Sequence, residues 1–98
     1  MRVHWTDRAK TRLKLIHDHI SEDFPKPALK VVDQLTARSM RLNEPPNSGW
    51  QVPEYQCNDV REILDRRYRI IYRIKSDQID VLCVVHYRQI LSADIERL

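Results

Sequence analysis

Glycine is almost absent from this chain: Gly49 is the only one in 98 residues. Loops that cradle phosphates with bare backbone amides need several glycines, so neither a P-loop nor a GxGxxG dinucleotide motif can be built here. Cysteine is nearly as scarce. Cys57 and Cys83 are the only two, and Cys83 lies inside a Val/Leu run. They read as reduced structural thiols rather than a disulfide framework. Long apolar runs are missing too; none approaches the roughly 20 residues that cross a bilayer as a helix. The opening MRVHWTDRAK turns polar after Trp5, unlike a secretory signal. The expected compartment is therefore the cytoplasm, with no membrane segment. The four histidines are His4, His17, His19 and His86. His17 and His19 fall two apart on a predicted helix and diverge by about 200°, so no metal site is expected and no cofactor is implied.

What is present suits one domain spanning residues 1–98. The 42% hydrophobic fraction can fill a single core, and the 32% charged fraction suits a solvated surface. Net charge is +3, which favours an anionic partner, either nucleic acid or an acidic polypeptide. The cations concentrate. Residues 61–75 hold Arg61, Arg66, Arg67, Arg69, Arg73 and Lys75 against Glu62 and Asp65.

The periodicity divides the chain in two. Val3 and Trp5 alternate within a short first strand. Thr6 offers an N-cap with Asp7 in the first turn. Ala9, Leu13, Ile16 and Ile20 then recur at helical spacing over residues 7–22, and Phe24 is expected to extend that stripe into the turn. Pro27 can open a second helix, with Ala28, Val31, Val32, Leu35 and Leu42 as its apolar stripe. The short link predicts an antiparallel helical hairpin. After the loop 43–49 the period changes to two. WQVPEY (50–55) reads as an edge or bulged strand because of Pro53. VREIL (60–64), YRIIYRIK (68–75) and IDVLCVVH (79–86) follow as strands. The last is apolar on both faces and should be covered on both. Ser92 is expected to cap a short terminal helical turn. The fold class is α+β: a first strand, then an antiparallel helical hairpin packed on a largely antiparallel sheet.

On this reading Tyr68, Ile70, Tyr72 and Ile74 face the helices. Arg67, Arg69, Arg73 and Lys75 form a cationic ribbon on the opposite face. Glu54 and Glu62 are expected to partner nearby arginines, Tyr68 and Tyr72 to lie in the core, and Trp5 and Trp50 to pack.

The chain resembles the RelE/ParE superfamily, the toxins of type II toxin–antitoxin modules. The resemblance rests on WTDRAKTRLKLIHDHI after the first strand, PALKVVDQL opening the second helix, VPE, and above all VREIL...YRIIYRI followed by DVLCVVHYRQIL. It implies a cognate antitoxin whose acidic, disordered tail wraps the toxin around its helical hairpin and sheet. It also implies one of two activities. ParE-type members act on DNA gyrase without known nuclease chemistry, whereas RelE-type members cleave mRNA in the ribosome. Under the nuclease alternative the matching catalytic positions are Arg69, His86 and Tyr87: an arginine to stabilise the developing phosphorane, and a His or Tyr for proton transfer. Two departures favour the ParE branch. The edge strand WQVPEYQ has no lysine, and VVHYRQIL resembles the ParE-type ending. The expected contact residues for target or antitoxin are then Arg61, Arg67, Arg69, Arg73, Lys75 and Arg88. No helix-turn-helix is present, so direct specific DNA binding is not expected.

Overall fold

The computed structural model describes residues 2–55 and 57–91. Strand β1 (Arg2–Trp5) leads into helix α1 (Asp7–Ser21) and helix α2 (Pro25–Ser39). Four further strands follow: β2 (Trp50–Gln51), β3 (Val60–Asp65), β4 (Tyr68–Ile74) and β5 (Gln78–His86). The sheet order is β1-β5-β4-β3-β2. β1 runs parallel to β5 and the other pairs are antiparallel. The helical hairpin packs on one face, which is the α+β arrangement expected from the sequence.

The local chemistry explains the boundaries. Thr6 caps α1, its Oγ1 accepting from the Ala9 amide at 3.1 Å. Its hydroxyl also donates to the Val81 carbonyl at 3.0 Å, tying the helix start to β5. The second helix begins at Pro25 rather than Pro27. Both prolines fit in the first turn, where backbone amides have no intrahelical acceptor to lose. Phe24 becomes the N-cap residue and is exposed, so it does not continue the α1 stripe. Leu42 lies beyond the end of α2 yet is buried, carried inward by the turn at 40–44. The expected strand 50–55 shortens to Trp50–Gln51, because Pro53 has no amide to donate and Tyr55 N instead bonds Val52 O in a turn. The terminal turn expected after Ser92 lies outside the described residues.

Two cores sit on the two faces of the sheet. On the helix side, Ala9, Leu35, Leu42, Ile63, Ile70, Tyr72, Ile79, Val81 and Val84 pack together, with Val3, Trp5, Tyr68 and Ile74 against them. This is the face predicted for Tyr68, Ile70, Tyr72 and Ile74. Trp5 Nε1 donates to the buried Ser39 Oγ at 2.9 Å. A bulge keeps the two-faced pattern of β5 intact. Ile71 pairs with Cys83 and Tyr72 with Val81, so Leu82 has no partner. Val81 and Val84, three apart, can then both face the helices.

The other face carries a second, smaller core: Val52, Tyr55, Val60, Ile71, Cys83, Val85 and Leu91. The irregular residues 52–55 and residues 87–91 after β5 fold over the sheet to make it. Burying a side chain such as Val52 or Leu91 contributes about 1.5–3 kcal/mol, enough to hold this cover without regular structure of its own. β5 is therefore covered on both sides, as its double apolarity demands.

Candidate functional site: a saturated arginine under an open shelf

The predicted cationic ribbon stands open only in part: Arg67 and Lys75 are exposed, but Arg69 is buried. Strand alternation puts Arg69, Ile71 and Arg73 on the face away from the helices, but that face is the one covered by the second core. Arg69 is 6% exposed. Its Nε donates to Glu62 Oε2 at 2.7 Å, and its Nη2 lies 2.6 Å from the same oxygen. Nη1 and Nη2 donate to Glu54 Oε2 and Oε1 at 2.9 and 2.7 Å. Nη1 also donates to the Gln89 carbonyl at 3.0 Å. A guanidinium has five N–H groups; four are in these hydrogen bonds, and Nη2 is also in ion-pair contact with Glu62. Glu54 Oε2 accepts in addition from the Leu91 amide at 3.0 Å. One arginine thus binds strand β3, the 53–54 turn and the segment after β5 into a single clasp. The expectation that Glu54 and Glu62 partner arginines holds, and they share the same one.

The clasp changes the chemistry of its members. Hydrogen bonding from Arg69 outweighs burial and holds the Glu54 carboxyl down from the usual 4.5 to about 2. The Arg69 guanidinium is held still further above its ordinary value, first by its bond to Glu54. The folded carboxyl titrates below the unfolded one. Its stabilisation is therefore full above pH 4.5 and lost as pH falls toward 2. In urea titrations, the stability gap between wild type and Glu54→Gln is expected to be widest near neutral pH and to close on acidification through that window. A gap independent of pH would show that the Glu54 carboxylate is not what the clasp uses.

The remaining members of the ribbon are dispersed. Arg73 Nε lies 3.4 Å from Asp59, and Lys75 Nζ lies 2.7 Å from Asp80. Asp80 is nearly buried; that burial is outweighed by hydrogen bonds from Lys75 and Gln78, which leave its carboxyl below the ordinary value. Arg61 pairs with Tyr72 across β3 and β4 and so belongs to the helix-side face, away from Arg69. Its Nε donates to Asn58 O at 2.9 Å and its Nη1 to Gly49 O at 3.3 Å. Arg67 is exposed in the β3–β4 turn beside Arg66, which adopts a left-handed φ of 59°. The Arg88 guanidinium lies over the Tyr87 ring, 5.2 Å from its centroid.

The three positions implied for RNA cleavage lie near one another: the His86 and Tyr87 ring centroids are 4.7 Å apart, and Tyr87 borders the depression that Arg69 floors. His86 pairs with Tyr68 and faces the helices. It borders a groove of about 380 Å³ together with Arg12, Leu15, Ile16, His19 and Tyr68. Its Nδ1 accepts from the Arg88 amide at 3.3 Å, which leaves the neutral ring's proton on Nε2. Tyr87 borders a different depression of about 420 Å³ on the opposite face, floored by Arg69, Glu54 and Glu62. Cys83 offers no nucleophile either, since burial pushes its thiol up. Among the described residues, no group of three His, Cys, Asp or Glu side chains is placed to hold a metal ion.

Sequence reasoning missed the rim of the second depression. Leu64 and Ile90 are exposed there, and Trp50, expected to pack, is exposed at the sheet edge. Leu64 sits in an apolar strand, and nothing in the sequence distinguishes it from the core residues beside it.

A family model described as the ParE toxin of the type II toxin–antitoxin system parDE matches residues 3–91. The chain belongs to the ParE toxin family. Among solved structures, a chain from a chromosomal ParDE toxin–antitoxin system of P. aeruginosa is 28% identical with a TM-score of 0.75, the match covering 88% of this chain and 95% of that one. None of the curated proteins compared with the chain matches it. The protein is thus a ParE-type toxin of a type II toxin–antitoxin system, and such a system implies a cognate antitoxin. Its helical hairpin on a five-stranded sheet is the ParE-like architecture. Among the described residues no helix is long and apolar enough to cross a membrane.

Proposed function

We propose that this ParE-family toxin acts in the cytoplasm by binding DNA gyrase, with no chemistry of its own, and arrests growth until its antitoxin neutralises it. The observation that carries this reading is the engagement of Arg69. A phosphate-stabilising arginine needs free donors aimed at the developing charge, and here four of the five are hydrogen-bonded to two carboxylates and a carbonyl while Nη2 also stands against Glu62.

The antitoxin's amphipathic tail is assigned to the helix-side groove. Leu15, Ile16, Tyr68 and Val84 offer it an apolar floor, and Arg12 and His19 can meet its acidic side chains.

Two assays on the purified chain test the activity. Gyrase supercoiling is expected to be inhibited, and mRNA on translating ribosomes is expected to stay intact. Cleaved mRNA with unimpaired supercoiling would overturn the reading.

A further inference from the structure

Exposed apolar side chains are ordinary when scattered and informative when they gather. Three gather around the depression above the clasp: Leu64 at 49% exposure, Tyr87 at 43% and Ile90 at 83%. Three exposed cations stand at the same end of the sheet. Arg66 and Arg67 form the β3–β4 turn, and Arg88 lies against the Tyr87 ring. Glu54 and Glu62, the anions of the floor, are already engaged by Arg69.

The rim is also held in place. Tyr87 N donates to Arg67 O at 2.8 Å, locking the segment after β5 to the hairpin turn. Gln89 O and Leu91 N are both fixed by the clasp, on either side of Ile90. A surface whose backbone is already ordered loses less entropy on binding, so more of its contact energy appears as affinity. Aromatic and arginine side chains around a fixed apolar centre are the composition of an interface hot spot.

We propose that this shelf, Leu64, Tyr87 and Ile90 ringed by Arg66, Arg67 and Arg88, is the surface through which the toxin grips its protein target, by way of an acidic, partly apolar segment of that target. The occupant follows from complementarity: exposed apolar centre, cationic rim, no free carboxylate in the floor. It rests on the binding reading above, and it assigns the two faces of the sheet to two partners. The helix-side groove serves the antitoxin and the shelf serves the target.

The test compares Tyr87→Ser/Ile90→Ser and Arg67→Glu/Arg88→Glu with wild type, in growth arrest on induction and in supercoiling by purified gyrase. Phe24→Ser, which removes an equally exposed side chain at the far tip of the helical hairpin, is the control. Both shelf variants are expected to melt near wild type, to lose growth arrest, and to need at least about tenfold more protein for the same inhibition, the scale of losing hot-spot contacts. Inhibition by wild type should weaken as salt rises, and charge reversal should abolish that dependence. Shelf variants that are folded and arrest growth like wild type would overturn the proposal, whatever the target is. Wild-type protein that arrests growth yet leaves gyrase untouched would instead remove the gyrase reading, and arrest by the variants would still decide the shelf.

Discussion

Replacing Arg69 with alanine is expected to cost about 3–5 kcal/mol of unfolding free energy, the usual cost of leaving buried charges without their partner. The magnitude follows from what the guanidinium leaves behind. Glu62 is 8% exposed, and Glu54 is held at about 2 first of all by its hydrogen bonding to Arg69. Without it, two carboxylates face each other in a covered site and the Gln89 carbonyl loses its donor. Arg69→Lys should recover part of the loss, since it restores charge but not the planar fork that reaches two carboxylates at once. Arg69→Met with Glu54→Gln and Glu62→Gln should be far less damaging than Arg69→Ala alone, because nothing charged is then left stranded. Urea unfolding at neutral pH distinguishes these cases. An Arg69→Ala protein as stable as wild type would mean that the clasp contributes no net stability.

Gly49→Ala is expected to be the next most damaging single change, although it adds one methyl group. Gly49 has an ordinary negative φ of −73°, so backbone strain is not the reason. The reason is space. A Cβ at this position would run into Tyr72 Oη and lie 2.7 Å from the Glu62 carbonyl oxygen, a backbone atom that cannot swing aside. The Tyr72 hydroxyl accepts from Gly49 N at 3.1 Å and donates to Pro46 O at 2.7 Å, which fastens the 46–49 turn to the core. Overpacking of this kind costs about 1–3 kcal/mol, and losing the hydrogen bond adds about 1 kcal/mol. For a domain of this size each 1 kcal/mol lowers the melting temperature by about 4–8 °C. Thermal unfolding that leaves Gly49→Ala within a degree or two of wild type would refute the close approach. In the Tyr72→Phe background the same substitution should cost less, because one of the two obstructing oxygens is gone.

Much of the fold was legible because it is written in periodicity. The α1 and α2 stripes, and the alternation of Tyr68, Ile70, Tyr72 and Ile74, needed only the two repeat lengths. The fate of Arg69 was not legible, and the reason is specific. Alternation tells which face a side chain takes, not what covers that face. The cover is made of Val52, Tyr55 and Leu91, spread over irregular backbone with no period to read. The face of Arg61 was not legible for a related reason. Its face depends on the β3–β4 register, which is set by pairing Asp65 with Tyr68 across a turn whose Arg66 adopts a conformation usually left to glycine or asparagine. The exposure of Phe24 and Trp50 follows from where α2 begins and how short β2 is, and both depend on the prolines beside them.

The parallel pairing of β1 with β5 bears on the toxin's birth. Arg2 pairs with Gln78 and Trp5 with Val81. On leaving the ribosome, β1 must wait for β5 before it has a neighbour. Until then α1 lacks β5, the strand it packs on, and a chain truncated before β5 lacks the strand that joins the two halves. Contacts this distant in sequence form late, and chains emerge at about 5–20 residues per second. Until β5 has emerged a nascent toxin therefore stays unassembled, and an antitoxin already present has that interval in which to be waiting.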